Sequence, residues 1–541
     1  MIDMEIHGKL VDIHNKTIFP ATITVEKGII VKIERNSHRG KGFILPGFVD
    51  AHIHIESSLL PPSEFARLAV RHGTVATVSD PHGIANVLGI SGVEFMLDNA
   101  SKVPLKFFFG APSCVPPTKM ETAGAHLGPK EVRELLEKPE IKYLSELMNF
   151  PGVIQGDPEM LAKLKSAKEL KKHIDGHAPG VFGDDLKKYI AAGPETDHEC
   201  ETLSEAREKM KLGMKILIRE GSAAKDFNIL FPLLREAPGN CMLCCDDLHP
   251  QNLILGHINL LVKRAVQKGM DPMEAICCAT KNPVEHYGLE VGLLRVGDAA
   301  DFIIVDDLTS FRVHETYIDG ECVFKNVTLF PHIEVRPINR FNAAKKTHLD
   351  FAVPARQGDI HVIEALDGLL TTGHLLLPPT IKSEKIVSDT SRDILKIAVV
   401  NRYQDAKPSV GFIKGFGLKK GALASSVAHD SHNIIAVGVT DEDLCHAINT
   451  VIEHKGGLAL SCNSMADILP LPIAGLMSIL PGEEVARRYS DLDAAAKNLG
   501  TTFHDPFMTL SFMSLLVIPE LKISDKGLFD CKSFSLIELN S

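Results

Sequence analysis

The sequence has no run of lysine or arginine, and its 58 basic residues are outnumbered by 69 acidic ones, for a formal net charge of −11. That balance argues against nucleic acid or an anionic membrane surface as a partner. Long apolar runs are also missing. The longest, residues 507–518, is broken by Thr and Ser and fenced by Pro506 and Pro519, so it reads as core and not as a membrane span. The opening Met1-Ile-Asp-Met-Glu-Ile-His carries acids and no apolar centre, which argues against a secretory signal. A cytoplasmic location is the expectation. The eleven cysteines form no spaced framework. Cys241, Cys244 and Cys245 crowd together, as do Cys277 and Cys278, which fits reduced and buried thiols. Cys241-x-x-Cys244 has no second pair to complete a zinc site. No Walker loop, Gly-x-Ser-x-Gly or His-Glu-x-x-His occurs, and Gly415-Phe-Gly417-Leu-Lys-Lys-Gly421 misses the dinucleotide spacing by one residue. Asn149 and His198 are not ordered in sequence as parts of a nucleophilic triad.

What is present is ample chain for a large core: 541 residues, 45% apolar and 23% charged. Apolar, β-branched segments recur at 48–54, 75–80, 106–113, 141–149, 173–177, 196–198, 215–220 and 241–246. Amphipathic helical stretches fall between and after them, at 64–72, 93–101, 129–137, 158–173, 184–192, 203–212 and 257–268. Strand and helix alternating eight times is the signature of an α/β fold of the (β/α)8 barrel type, here over residues 46–287. A doubly wound open sheet is the alternative, and the count of eight favours the barrel. Short strands at 5–10, 21–25 and 29–34 are expected to pair with a turn-and-strand segment at 288–315. Residues 1–45 plus 288–335 would then form a small flanking β domain. Residues 336–541 read as a C-terminal α+β domain, with strands at 394–400, 410–416 and 434–439 and helices at 441–454 and 482–499.

The sharpest local signal is Asp50-Ala-His52-Ile-His54. Side chains alternate along a strand, so His52 and His54 share a face. Two imidazoles closing an apolar strand make a natural chelate for a divalent metal. Other strand ends supply matching donors: Glu146, His177, His198 and Asp246. Functional groups of such barrels gather at these ends. Six donors exceed what one metal with an open position needs, and they suit two metals bridged by a carboxylate and a hydroxide. Asp246 is preferred to Asp247 because it comes first after the apolar strand.

At this point the sequence resembles the amidohydrolase superfamily and, within it, the adenine deaminases of bacteria and archaea. The resemblance is carried by Pro46-Gly-Phe-Val-Asp-Ala-His-Ile-His-Ile-Glu-Ser-Ser58, Ser79-Asp-Pro-His-Gly-Ile-Ala-Asn-Val87, Pro112-Ser-Cys-Val-Pro116, Met148-Asn-Phe-Pro-Gly152, Gly176-His-Ala-Pro179 and Asp197-His-Glu199. It continues in Ile218-Arg-Glu-Gly-Ser-Ala-Ala-Lys225, Asp246-Asp-Leu-His-Pro250 and Ala428-His-Asp-Ser-His-Asn433. It spans nearly the whole chain.

The resemblance implies two divalent metal ions, Mn(II) or Fe(II), and conversion of adenine and water to hypoxanthine and ammonia in purine salvage, by attack of a metal-bridged hydroxide at C6. By match of motif, His52 and His54 hold one metal with Asp246, His177 and His198 hold the second, and Glu146 bridges. Many relatives bridge through a carbamylated lysine; Lys142 shares the strand parity but lies deeper, which favours Glu146. Asp246 and Glu146 are the expected catalytic groups, with Asp246 taking a proton and returning it. Asp80, His82, Ser113, Arg219 and Glu220 lie at or just past strand ends, where they bind purine nitrogens or serve as salt bridges and caps. His429 and His432 lie in a dense polar cluster that is either a surface turn or a contribution of the C-terminal domain to the pocket. The other deaminase chemistry, His-x-Glu with Pro-Cys-x-x-Cys, is disfavoured, since Asn240 precedes Cys241 and no His-x-Glu stands ahead of it. Three positions depart from the expected pattern: Gly83 stands for Glu, Cys245 for Thr and Leu248 for a basic residue. A homodimer or higher homo-oligomer is expected. The rivals are a sister amidohydrolase acting on another aminated heterocycle or a cyclic amide, and a scaffold without catalysis. The retention of all six donors argues against the scaffold.

Overall fold

The computed structural model describes residues 4–36, 40, 42–222 and 224–541; the first residues of the N-terminal reading, 1–3, and Ala223 of one quoted motif lie outside them. Eight parallel strands surround one core: β1 (Phe48–Ile53), β2 (Thr74–Ser79), β3 (Lys106–Ala111), β4 (Ile141–Leu147), β5 (His173–Gly176), β6 (Thr196–Asp197), β7 (Lys215–Arg219) and β8 (Cys241–Cys244). Each starts within one residue of its predicted segment, and three end two residues short of it. Every residue of β1, β2 and β8 is buried, which is why these strands read as continuous apolar runs and do not alternate. The circle closes at two seams. Glu195 carries the ladder between β5 and β6, its N–H donating to Ile174 (2.9 Å) and its carbonyl accepting from Lys215 (2.9 Å). At the other seam Asp246 N–H donates to the His52 carbonyl (2.9 Å) and His54 N–H donates to the Asp246 carbonyl (3.1 Å). The last strand is thus zipped to the first at the level of the His-x-His pair.

The sixth strand is only two residues long, and charge takes over where the ladder stops. Lys209, on the helix Leu203–Lys211, is fully buried. Its ammonium reaches Asp197 (3.1 Å), Glu205 (2.6 Å) and the Ala178 carbonyl (2.6 Å). This knot fixes the chain on either side of His177 and His198.

The N-terminal strands and the segment after the barrel share one eight-stranded sheet. Its central strand, Phe43–Pro46, pairs parallel with Met4–Asp12 and antiparallel with Phe302–Val305. One residue, Gly47, separates that strand from β1. A side chain there would meet Val75 of β2, with a Cβ only 2.2 Å from its Cγ1.

A second eight-stranded sheet, at residues 360–470, carries the helix Asp441–Glu453 on one face. Thr440 caps this helix by accepting from the Asp443 N–H (3.1 Å), and three acids in its first turn complement the helix dipole. The apolar run 507–518 forms a short helix, Pro506–Ser511, and a following turn, and it is packed as core. No helix among the described residues is long and apolar enough to cross a membrane. All eleven cysteines are free, and the five in the two tight groups are buried.

Two substitutions test this framework. Gly47→Ala forces a methyl into Val75 and is expected to cost about 1–3 kcal/mol, read as a lower denaturation midpoint. Lys209→Met leaves Asp197 and Glu205 buried without their cation and is expected to cost about 3–5 kcal/mol; the same unfolding experiment measures it.

Candidate metal centre

The six donors read from the sequence converge at the C-terminal ends of the strands, and all are buried. His52 and His54 leave β1 on one face, with their Nε2 atoms 3.3 Å apart. His54 Nε2 lies 3.1 Å from Asp246 Oδ1 and 3.3 Å from Glu146 Oε1. His52 Nε2 lies 3.7 Å from Asp246 Oδ1. On the other side, Glu146 Oε2 meets His177 Nδ1 (2.8 Å) and His198 Nε2 (3.0 Å). The Glu146 carboxylate therefore stands between two groups of imidazoles, one oxygen toward each. Lys142 is not near them: its charge faces Lys172, which precedes β5. Asp247 also lines the space beside the donors but accepts a hydrogen bond from Ser57. Asp246 reaches inward through a left-handed backbone (φ 59°), a conformation uncommon outside glycine.

The electrostatics follow from carboxylates packed among rings in a dry site. Burial alone would raise Glu146, yet His177, His198 and His82 hold it well below the usual carboxylate range. Burial likewise opposes ionisation of Asp246, but His54 and Arg219 hold it well below its ordinary value. Burial and the neighbouring His198 and His54 drive His52 well below its ordinary value, so it is a neutral imidazole. Burial and His82 push His54 down, but Asp246 and Glu146 outweigh them and raise it well above its ordinary value. Against the same burial, Glu146 raises His198 to about 9.

The surrounding residues explain how the donors are held. Asp50 accepts from the N–H groups of Cys245 (3.1 Å) and His52 (3.3 Å). Its second oxygen lies 2.9 Å from His257 Nε2, and His257 Nδ1 is 2.6 Å from Thr74 Oγ1. Asp50 thus ties β1 to β8 beneath the cluster. Arg219 holds Asp246 Oδ2 through Nη1 (2.6 Å), Glu199 through both terminal nitrogens, and Asp226 through Nε (3.2 Å).

Of the residues expected at the purine, three have other partners. Ser113 donates to the Glu146 carbonyl (2.5 Å), so it braces the strand end. Arg219 is engaged by carboxylates. Glu220 is turned out of the mouth and paired with Arg264 (2.6 Å), because it follows Arg219 by one residue and so faces the opposite side. Asp80 and His82 do face the cluster. The Asp80 carbonyl lies 3.0 Å from His54 Nδ1, and His82 Nδ1 lies 3.2 Å from Glu146 Oε1. The C-terminal domain reaches the same point. Asp430 Oδ1 lies 3.4 Å from His82 Nε2 and 3.6 Å from His429 Nδ1. The His429 ring stacks on Phe512 with centroids 4.9 Å apart. His432 is buried beside Gly83, where an added Cβ would sit 3.2 Å from His432 Nε2 and 3.3 Å from Glu56 Oε1. The space of the side chain expected at 83 is thus taken by Glu56 and the C-terminal turn. Leu248 and Cys245 are buried. Asp430, Glu199, Asp226 and Phe512 were not picked out from the sequence. Only Glu199 lies beside a predicted donor, within Asp197-His-Glu199.

Together these groups enclose a chamber of about 30 Å³, lined by donors of the cluster and by the apolar Met148, Leu370, Phe512 and Leu515. It offers nucleophile-activating and proton-carrying groups beneath an apolar cover.

Comparison with known proteins gives the same picture along the whole chain. The model of the Amidohydrolase family matches residues 43–323, and that of the Adenine deaminase C-terminal domain matches residues 369–535. An adenine deaminase of Sulfurovum sp. (strain NBC37-1) is 57% identical over 99% of this chain and 99% of its own. An adenine deaminase of Salinibacter ruber is 53% identical over 98% of each. Among solved structures, that of enamidase, a member of the amidohydrolase superfamily, aligns with a TM-score of 0.46 at 17% identity, over 60% of this chain and 97% of the other. With a barrel that bears this donor set, and full-length likeness to proteins of one name, the chain belongs to the adenine deaminase family of amidohydrolases.

Proposed function

We propose that the protein is a metal-dependent adenine deaminase that hydrolyses adenine to hypoxanthine and ammonia. The observation that carries the reading is the convergence of His54, His177 and His198 on the two oxygens of Glu146, with His52 and Asp246 closing on His54. The donor set fits divalent ions. Two buried ring nitrogens, His52 Nδ1 and His177 Nε2, have no hydrogen-bond partner. The carboxylates also draw positive charge onto His54 and His198, the role a cation serves in such a cluster. His52, His54 and Asp246 would hold one ion and His177 and His198 the other, with Glu146 between them; imidazole and carboxylate suit Mn(II) or Fe(II). When bound, such ions lower the pKa of water and supply a nucleophile at neutral pH.

The chain's own groups account for the rest. Asp246 Oδ1, kept ionised by His54 and Arg219, accepts a proton from the attacking water and returns it to the departing amine. A C6–O bond forms from one water, the exocyclic C6–N bond breaks and ammonia leaves with one of the water protons, and the other proton ends on ring nitrogen N1. Met148, Leu370, Phe512 and Leu515 cover the faces of the heterocycle and exclude bulk water. In this reading residues 46–287 form the catalytic barrel, 1–45 plus 288–335 the flanking β domain, and 336–541 the cover. A reducing cytoplasm and purine salvage suit eleven free thiols and a free-base substrate.

The test is ammonia release from adenine by protein loaded with Mn(II) or Fe(II). Activity is expected to fall at least 100-fold after chelation and in His54→Ala. Metal bound at about two ions per chain with no release from adenine would redirect the reading to another aminated heterocycle or a cyclic amide. A second test addresses Arg219. Arg219→Met removes the cation that holds Asp246 low, so its carboxylate pKa rises. Since the ionised form is the active one, the acid limb of the kcat/KM profile is expected to move to higher pH with at least a tenfold loss at neutrality. An unmoved acid limb would deny Arg219 this role.

A further inference from the structure

Lys522, on the strand Leu521–Ser524 of the C-terminal domain, is fully buried. No carboxylate among the described residues pairs with it. Its ammonium donates instead to two backbone carbonyls, those of Leu370 (2.6 Å) and Phe512 (3.0 Å). Burying an amine without a counter-charge is costly, and here burial lowers it to about 7. A lone lysine therefore needs a structural reason, and its two partners supply one. Leu370 and Phe512 are two of the apolar residues that cover the inner chamber. Leu370 comes from the loop after the strand Ile360–Glu364, and Phe512 from the turn after the helix Pro506–Ser511, whose ring stacks on His429. The two segments are far apart in sequence, and Lys522 Nζ joins them directly.

The geometry extends outward. A cavity of about 580 Å³ lies between the loops after β6 and β7 and the C-terminal domain, lined in part by Lys225, Ile229, Leu369 and His504. Leu370 and Glu199 line both this cavity and the inner chamber. They form the partition between them. The inner chamber alone has room for about two waters, so a bicyclic base that reaches the donors must extend past this partition toward the outer cavity, with Leu370 and Phe512 beside it.

We propose that Lys522 is a positioning residue for the reaction. By clamping the carbonyls of Leu370 and Phe512 it fixes the two apolar walls that grip the planar heterocycle, and the base passes to the chamber from the outer cavity beside Leu370. The proposal rests on the chamber taking a purine. It assigns Lys522 no contact with the reacting atoms, so its loss acts on binding and not on the chemical step.

The test uses the full-length, Mn(II)-loaded enzyme. Lys522→Met keeps the length of the side chain and removes every donor. KM for adenine is expected to rise at least tenfold while kcat stays within threefold and metal content is unchanged. Lys522→Gln, which keeps an uncharged donor, is expected to fall between the two. A lysine that merely stabilises the fold would lower the melting midpoint and the active fraction and leave KM where it was, and that result would overturn the proposal. A second readout needs no substrate. The sequence contains no tryptophan, so Phe512→Trp places a single emitter in the chamber wall. Acrylamide quenching of that emitter is expected to rise at least threefold when Lys522→Met is added; unchanged quenching would also overturn the clamp. If the unaltered enzyme releases no ammonia from adenine, the functional reading fails and the quenching experiment still decides the clamp.

Discussion

Carboxylates taken out of water must be matched by positive charge, and the mouth of this barrel is built around that constraint. Glu146, Asp246, Glu199 and Asp226 are all buried within a few residues of the strand ends. Left alone, each would protonate or unfold its surroundings. Arg219 satisfies three of them at once, and imidazoles surround the fourth. The matching is partial even so: Asp226, despite its contact with Arg219, is raised by burial to about 7. The donor set is short of cations, and in the proposed reading divalent ions make up that shortage. The same principle acts below the mouth. Lys209 neutralises Asp197 and Glu205 where β6 is too short to hold its neighbours by backbone hydrogen bonds alone.

The C-terminal domain is part of the site and not an appendage to it. Barrel loops usually furnish the cover over a catalytic face. Here Leu370, Asp430, Phe512 and Leu515 furnish much of it. Asp430 touches His82, which touches Glu146, so one continuous chain of polar contacts crosses from the cover into the donor cluster. The apolar side chains of the same domain complete the enclosure.

Much of the fold was legible because buried parallel strands announce themselves as apolar runs, and all eight were read in place. The short helices His82–Leu88, Phe150–Gln155 and Pro250–Leu255 were not read, since two turns of helix give no periodicity to detect. His52 and His54 were legible because strand geometry alone puts them on one face. The same alternation could have separated Arg219 from Glu220, which differ by one residue and therefore point to opposite sides. For Ser113 and Arg219 the sequence left substrate contact and structural pairing both open, because it gives the position of a polar group and not its partner. Asp430 was legible only as a member of a polar cluster that had either a surface or a pocket role, and Phe512 only as part of a core segment. Their roles depend on the docking of a domain whose elements lie hundreds of residues from β1.

The strand Phe43–Pro46 bears on how the molecule is made. It runs through a single glycine into β1, yet its antiparallel partner is Phe302–Val305, beyond the last barrel helix. On the ribosome the first of these segments emerges long before the second, a wait on the order of tens of seconds at ordinary translation rates. Through that interval the strand has an open edge, and for all but the last part of it, until Cys241–Asp246 has emerged, the barrel cannot zip its eighth strand to its first. Closure is therefore a late event in biosynthesis, and the nascent chain must keep an apolar edge from straying until its distant partner has left the exit tunnel.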